Sequence, residues 1–454
     1  MKLRAAEAVR LPGAALAAAL LLAACAPAVS ADRNDVIVSR APDAAEVRAE
    51  AARVPLHAQT WLYYGLNGVN ENVAPEAMAR FADFVEDGDH GVFAARYKAA
   101  GGRYAAAYDD PAYVPYCDPP FTPPAGRCKW EYSRFVQDES GWFHGPDGSR
   151  VRRYVAGDKS YQEAINPASP AAHRAWRDFT RAVKARAPAI DFLYADDAGG
   201  PLRAGDMSPK SSQFYDFNEA GVEIRSDEQF RDAWIGYLAE SALPMVLNGS
   251  DPNTARAAYG GAFLRQPFVR GSAHEGCFRH EGGVKTLRGD SWTNEGDALL
   301  ENARFHKWGL CFMTGIPNAA NRLYAVASWW ISYDPQWSVA VPVEAVPGQS
   351  SLLPEYSIVP RFPLRTAVEH VSALRIGGGA FAREFGACYQ ERRLVGACAT
   401  VVNPSANAVP MPALQGTYRR TLVLSDGDVF HGTASWVPGV PGGLAPGTAA
   451  ILAR

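Results

Sequence analysis

The stretch Asp191-Phe192-Leu193-Tyr194-Ala195 runs directly into Asp196-Asp197-Ala198-Gly199-Gly200. Four apolar or aromatic residues in a row, closed by acids and glycines, read as a short buried strand turning into a loop. A strand buried on both faces belongs to a parallel sheet covered by helices. Helical signals lie on either side of it. Upstream, Ser169 caps and Pro170 opens a helical run. Downstream, Ser226 caps the run from Asp227 to Ser241.

The same alternation extends outward from this unit. Toward the N-terminus, Thr60 to Gly65 (TWLYYG) reads as a first strand and Pro75 to Val85 (PEAMARFADFV) as a helix. Arg103 to Tyr108 (RYAAAY) reads as a second strand and Tyr161 to Asn166 (YQEAIN) as a third, with a long Pro-rich excursion between them. Asp191 to Ala195 is then the fourth. Pro244 to Leu247, Phe268 to Ala273, Gly309 to Met313 and Trp337 to Val341 make strands five to eight, with helical runs at Asp297 to Trp308 and Ala319 to Ile331. Eight strand–helix units in about 290 residues are the arithmetic of a (β/α)8 TIM barrel, an α/β fold. A doubly wound open sheet would carry a Gly-rich phosphate turn after an early strand. No such pattern occurs; Gly377-Gly378-Gly379 comes late and lacks the rest of the motif.

After about Leu364 the texture changes. Phe381 to Phe385, Ala399 to Val402, Tyr418 to Leu424 and Ala449 to Leu452 alternate with Gly, Pro, Asn and Asp turns. That is the pattern of a small antiparallel β-sandwich. The expected organisation is a signal peptide at 1–24, a tether at 25–53, the barrel at 54–346, a linker at 347–364 and the β-sandwich at 365–454.

The chain has 454 residues, with 48% hydrophobic and 20% charged, which suits a globular protein and excludes a disordered one. Its formal charge of −3 leaves no net basic excess for nucleic acid. Lys2, Arg4 and Arg10 precede the apolar run Leu11 to Ala23, the layout of an export signal too short to span a bilayer. Leu22-Ala23-Ala24-Cys25 resembles the bacterial lipobox, which implies lipidation of Cys25 and a membrane anchor. Ordinary cleavage near Ala31 is the alternative; both export the protein to the periplasm or the exterior. Export also suits the six remaining cysteines as disulfides. Proximity suggests Cys117 with Cys128, Cys277 with Cys311 and Cys388 with Cys398.

Polar residues gather where the expected barrel strands end, which is where such barrels build their sites. Strand two ends in Asp109 and Asp110, strand four in Asp196 and Asp197, strand five in Asn248, and strand six in His274 and Glu275. A single strand-end carboxylate is as a rule a turn or cap residue; several from separate strands suit the paired carboxylates of glycoside hydrolysis. Asn248 and His274 would bind substrate beside them, and Trp61, Tyr63, Tyr64 and Trp329 could stack on sugar rings. No His pair at ligand spacing accompanies the acids, so neither metal nor cofactor is expected. No G-x-S-x-G elbow occurs, which removes a serine hydrolase of that type.

From Trp61 onward the chain resembles bacterial glycoside hydrolases with a (β/α)8 barrel and a C-terminal β-sandwich. The resembling pieces are Asn166-Pro167-Ala168-Ser169-Pro170, Phe192 to Asp197, Arg383-Glu384-Phe385, Val401 to Ser405 and Ala449 to Leu452. The resemblance implies Asp196 as nucleophile and Glu275 as acid/base of a retaining enzyme acting on an oligo- or polysaccharide. Asp197, Asp109 and Asp110 are held in reserve. The competing reading is a carbohydrate-binding surface lipoprotein without catalysis on the same scaffold.

Overall fold

A computed structural model describes residues 37–64, 73–87, 91–115, 136–144, 148–150, 152–155, 160–198, 227–248, 260–279, 286–313, 318–341, 354–366, 368–425 and 433–454. Cys25, Cys117 and Cys128 lie outside them.

Eight parallel strands follow one another around a single sheet. They are β1 (Trp61–Tyr64), β2 (Phe84–Asp87), β3 (Tyr104–Asp109), β4 (Phe192–Ala195), β5 (Met245–Leu247), β6 (Val269–His274), β7 (Trp308–Phe312) and β8 (Ser338–Val341). The sheet closes on itself, since Thr60 bridges Ala340 in parallel and the Ala340 N–H donates to the Gln59 carbonyl at 2.8 Å. The chain is a (β/α)8 barrel.

Strand alternation sorts the residues into two layers. Trp61, Phe84, Ala106, Phe192, Tyr194, Val246, Ala273, Leu310 and Val339 fill the barrel. Their neighbours Leu62, Val85, Ala105, Ala107, Leu193 and Met245 pack outward among the helices. The interior is aromatic: Phe84 stacks on Tyr104 at 5.0 Å and meets Trp308 edge-on at 4.8 Å, and Trp61 stacks on Phe84 at 5.6 Å. Such offset and edge contacts add about 0.5–1.5 kcal/mol each beyond the area they bury.

The strand count is eight as expected, but two strands differ in identity. The helix expected over Pro75 to Val85 stops at Met78, and Phe84–Asp87 forms β2. Phe84 and Val85 are both buried, one on each face of the wall, and consecutive buried residues mimic a helix in sequence. The expected third strand, Tyr161 to Asn166, overlaps the strand Ser160–Ala164, which lies outside the barrel. It pairs antiparallel with Tyr113–Pro115 and Arg152–Val155 in the excursion that follows β3. Asp109 therefore ends the third barrel strand, while Asp196 still follows the fourth.

The C-terminal region is a six-stranded antiparallel sheet: β9 (Ile358–Pro363), β10 (Phe381–Gln390), β11 (Arg393–Asn403), β12 (Arg420–Leu424), β13 (Ala434–Pro438) and β14 (Thr448–Ala453). Its spatial order is β9-β10-β11-β14-β12-β13. β9 falls within residues expected as linker. One face packs on the helix Ala319–Ile331, where Trp330 meets Phe385 at 5.9 Å. The opposite face carries a smaller layer, the pair Val409–Pro410 with Gly443–Leu444. Cys388 joins Cys398 across the β10–β11 hairpin, and Cys277 joins Cys311 between the turn after β6 and β7. Both bridges fit an oxidising, extracellular-type environment. No helix among the described residues is long and apolar enough to cross a membrane.

The expected tether is ordered where it is described. Ile37–Val38 pairs antiparallel with Arg365–Thr366, and Asp43 caps the helix Ala44–Ala51 in a reciprocal box with Glu46. Tyr389 donates its hydroxyl to the Val47 carbonyl at 2.7 Å, and Val54 is buried with Val359 and Ala387. A short charged segment is thus held by the sheet it covers.

Candidate active site

The interior positions of β3, β4, β5 and β6 continue beyond the aromatic core into polar side chains. Tyr108 follows Ala106, Asp196 follows Tyr194, Asn248 follows Val246 and Glu275 follows Ala273, each two residues further along its strand line. Asn248 Nδ2 donates at 2.7 Å to Asp196 Oδ1 and at 2.7 Å to Glu275 Oε1. One nitrogen therefore holds both carboxylates, and their bonded oxygens lie within twice 2.7 Å of each other.

Asp196 collects further donors. Tyr108 gives its hydroxyl to Oδ2 at 2.6 Å, and the Asp197 N–H gives to Oδ1 at 3.0 Å. Such donors fix the orientation of the carboxylate. Burial first, and then the negative charge of Asp196, pushes the Tyr108 hydroxyl far above its ordinary pKa, so it stays a proton donor. Asp197 sits at φ 50, a left-handed conformation that Asp tolerates better than bulkier residues. That bend points its N–H back at Asp196.

The other expected residues divide. Asp110 Oδ1 accepts from the Ala112 and Tyr113 N–H groups at 3.0 Å, which makes Asp110 a turn residue. Asp109 follows Ala105 and Ala107 in the outward alternation; it accepts from the Asp110 N–H at 2.9 Å, and its carbonyl accepts from the Asp196 N–H at 2.7 Å. His274 faces the helix layer, not the barrel mouth. Its Nε2 lies 3.0 Å from both Ser272 Oγ and Asn302 Nδ2, and its Nδ1 lies 3.2 Å from the buried Glu295. The last contact is close without hydrogen-bond alignment. Alternation decides this: two residues along from Ser272, His274 takes the outward side that Glu275 leaves.

The aromatic platform is also corrected. Trp61 is fully buried in the barrel interior, and Trp329 is buried in the core between the barrel and the C-terminal sheet, 4.9 Å from Tyr333. Neither offers a ring face to solvent. Tyr63 and Tyr64 close β1, with Tyr63 paired to Glu86; their side chains lie outside the described residues.

Glu86 was not expected. It is fully buried on β2, two residues past the interior Phe84, and neither carboxyl oxygen has a well-aligned hydrogen-bond partner among the described residues. Burial first, then the charge of Asp196, pushes its pKa well above the ordinary range; the Trp61 indole opposes this and the charge of Glu275 adds to it. Its signal was the alternation Phe84, Glu86, hidden inside the apparent helix. Among the described residues no group of three or more His, Cys, Asp or Glu could hold a metal ion.

No protein-family model and no curated protein matches the chain. Among solved structures, it is similar to a glucosidase II alpha subunit bound to Glc1Man2, with 10% identity over 88% of this chain and a TM-score of 0.39. This chain spans 45% of that one, just under half its length. It is similar to an inactive double mutant of MutB, with 9% identity over 88% of this chain and 99% of that chain, and a TM-score of 0.42. A third is a cycloisomaltooligosaccharide glucanotransferase from Paenibacillus sp., with 8% identity over 87% of this chain and 55% of that one, and a TM-score of 0.37. All three are loose likenesses.

Proposed function

We propose that this protein is an exported glycoside hydrolase that cleaves an oligo- or polysaccharide with Asp196 and Glu275, retaining the anomeric configuration. The observation that carries the reading is the shared Asn248 nitrogen, 2.7 Å from an oxygen of each carboxylate at the ends of β4 and β6. Two carboxylates this close suit a retaining pair, separated by about 5–5.5 Å, better than an inverting pair at about 6.5–9.5 Å.

In this mechanism Asp196 attacks the anomeric carbon while Glu275 gives its proton to the departing glycosidic oxygen. The bond to that oxygen breaks, and a glycosyl ester forms on Asp196. Glu275, now ionised, takes a proton from water, which displaces the ester and restores both groups. Tyr108, Asn248 and the Asp197 N–H hold the nucleophile oriented. In the exported protein, Cys25 carries lipid and anchors the chain to a membrane.

The test is a screen of the purified mature protein against bacterial and plant polysaccharides, read by release of reducing ends. Proton NMR of the first product then gives its anomeric configuration. Retained configuration is expected; inversion overturns the assignment of Asp196 as nucleophile. A polysaccharide that binds tightly and is never cut would favour the non-catalytic binding protein instead.

A further inference from the structure

We propose that Asn248 is a positioning residue of this reaction, and that its one amide nitrogen sets the pH window of activity by holding both carboxylates at once. The inference rests on the roles proposed above for Asp196 and Glu275. A primary amide nitrogen carries two hydrogens. Bonds of 2.7 Å to Asp196 Oδ1 and to Glu275 Oε1 use both. The nitrogen then has no hydrogen left for a sugar hydroxyl, so its task is internal to the site.

The backbone makes Asn248 suited to that task. Its N–H donates to the Ala195 carbonyl and its carbonyl accepts from the Ala198 N–H, each at 2.8 Å. Asn248 is thereby pinned to both flanks of Asp196, and its side chain reaches across from there to the end of β6. The residue is buried, which strengthens both bonds relative to water.

A donor to a carboxyl oxygen favours the charged form. The two partners have opposite requirements, since Asp196 must be ionised to attack and Glu275 must be protonated to give. Taking the amide away removes a donor from both at once, so the two limbs of the pH profile should move together. Among the described residues, the Tyr108 hydroxyl and the Asp197 N–H also bond Asp196, and the buried Glu86 of β2 feels the charges of both Asp196 and Glu275. Tyr108 and the Asp197 N–H reach Asp196, whereas the Asn248 amide reaches both carboxylates.

The experiment is the pH profile of kcat/KM for the wild type, Asn248→Ala and Asn248→Asp. For the Ala variant the whole bell should move to higher pH, by about one unit at each limb, while kcat at the new optimum falls by about 100-fold from loss of alignment. Asn248→Asp keeps the side-chain shape, so it carries the test if the Ala variant misfolds. It removes the amide and adds an acid, and should move both limbs further in the same direction. A raised KM with both limbs unmoved overturns the proposal and leaves the amide a substrate contact. If Asp196→Ala is inactive in that case, the glycosidase reading survives. If Asp196→Ala and Glu275→Gln keep wild-type activity, the reading itself fails, and the inference with it.

Discussion

His274 and Glu275 are consecutive residues that serve opposite sides of the barrel wall. His274 is buried outward against Ser272, Asn302 and Glu295, whereas Glu275 meets Asn248 at the mouth. Substitution should separate the two roles. His274→Ala leaves Glu295 as a buried acid without its neighbour and should cost about 3 kcal/mol of stability. Glu275→Gln should leave stability within about 0.5 kcal/mol of the wild type. Urea denaturation of both variants checks this, and equal losses would refute it.

The catalytic pair should respond in different ways to the leaving group. Asp196→Ala should reduce turnover by several orders of magnitude on every substrate. Glu275→Gln should cost much less on an aryl glycoside, whose leaving group needs little protonation, and azide should restore part of the Glu275→Ala rate. Steady-state kinetics on an aryl glycoside and on the natural linkage compare these directly. Near-wild-type activity in both variants would remove the pair.

Glu86 makes a prediction about pH. Its folded pKa is raised by burial and by the charges of Asp196 and Glu275. The native state therefore keeps a proton that the unfolded chain loses above about pH 4.3. The group's contribution is fully present below that pH and is lost as pH rises toward the folded value. Glu86→Gln removes the slope, so the variant should gain Tm relative to the wild type from about pH 5 upward, with little difference near pH 4. A series of melting curves decides it; a constant offset across pH would refute the account.

The bridge between Cys277 and Cys311 closes 34 residues of chain and anchors the turn that carries Glu275. Cys311→Ser should lower stability by about 3–4 kcal/mol. The bridge between Cys388 and Cys398, with a separation of 10, should cost about 2–3 kcal/mol when lost. Thermal melts with and without reductant measure both.

Export and anchoring can be separated in cells. Cys25→Ser should move the protein from the membrane fraction to the soluble periplasm or medium if the Cys bears lipid. A mature N-terminus near Asp32, found by mass spectrometry, would replace the lipoprotein reading with ordinary cleavage.

Much of the barrel was legible because its strands end in chemistry. Phe192 to Asp197 carried both the apolar run and the acids, and Asn248 and Glu275 stood at comparable ends. Phe84–Asp87 was not legible, since a strand buried on both faces loses the alternation that marks a half-exposed one. Glu86 went unnoticed with it. His274 and Trp329 were chosen by residue type, and which way a side chain faces depends on a register that pairing alone fixes. The segment 37–54 looked solvated because it is rich in Ala, Glu and Arg and has no aromatic residue. Val47, Ala51 and Val54 nonetheless find a surface made 300 residues later.

That surface gives the chain an awkward order of assembly. Val47 and Tyr389 stand 342 residues apart, and Ser39 and Thr366 stand 327 apart. Residues 37–39, early to leave the ribosome or to emerge from an export channel, must wait for nearly the whole polypeptide before their strand has a neighbour. Long-range closures of this kind are slow. A protease or a holding chaperone meets residues 37–54 without that sheet throughout the interval, and loses access once β9 and β10 have formed.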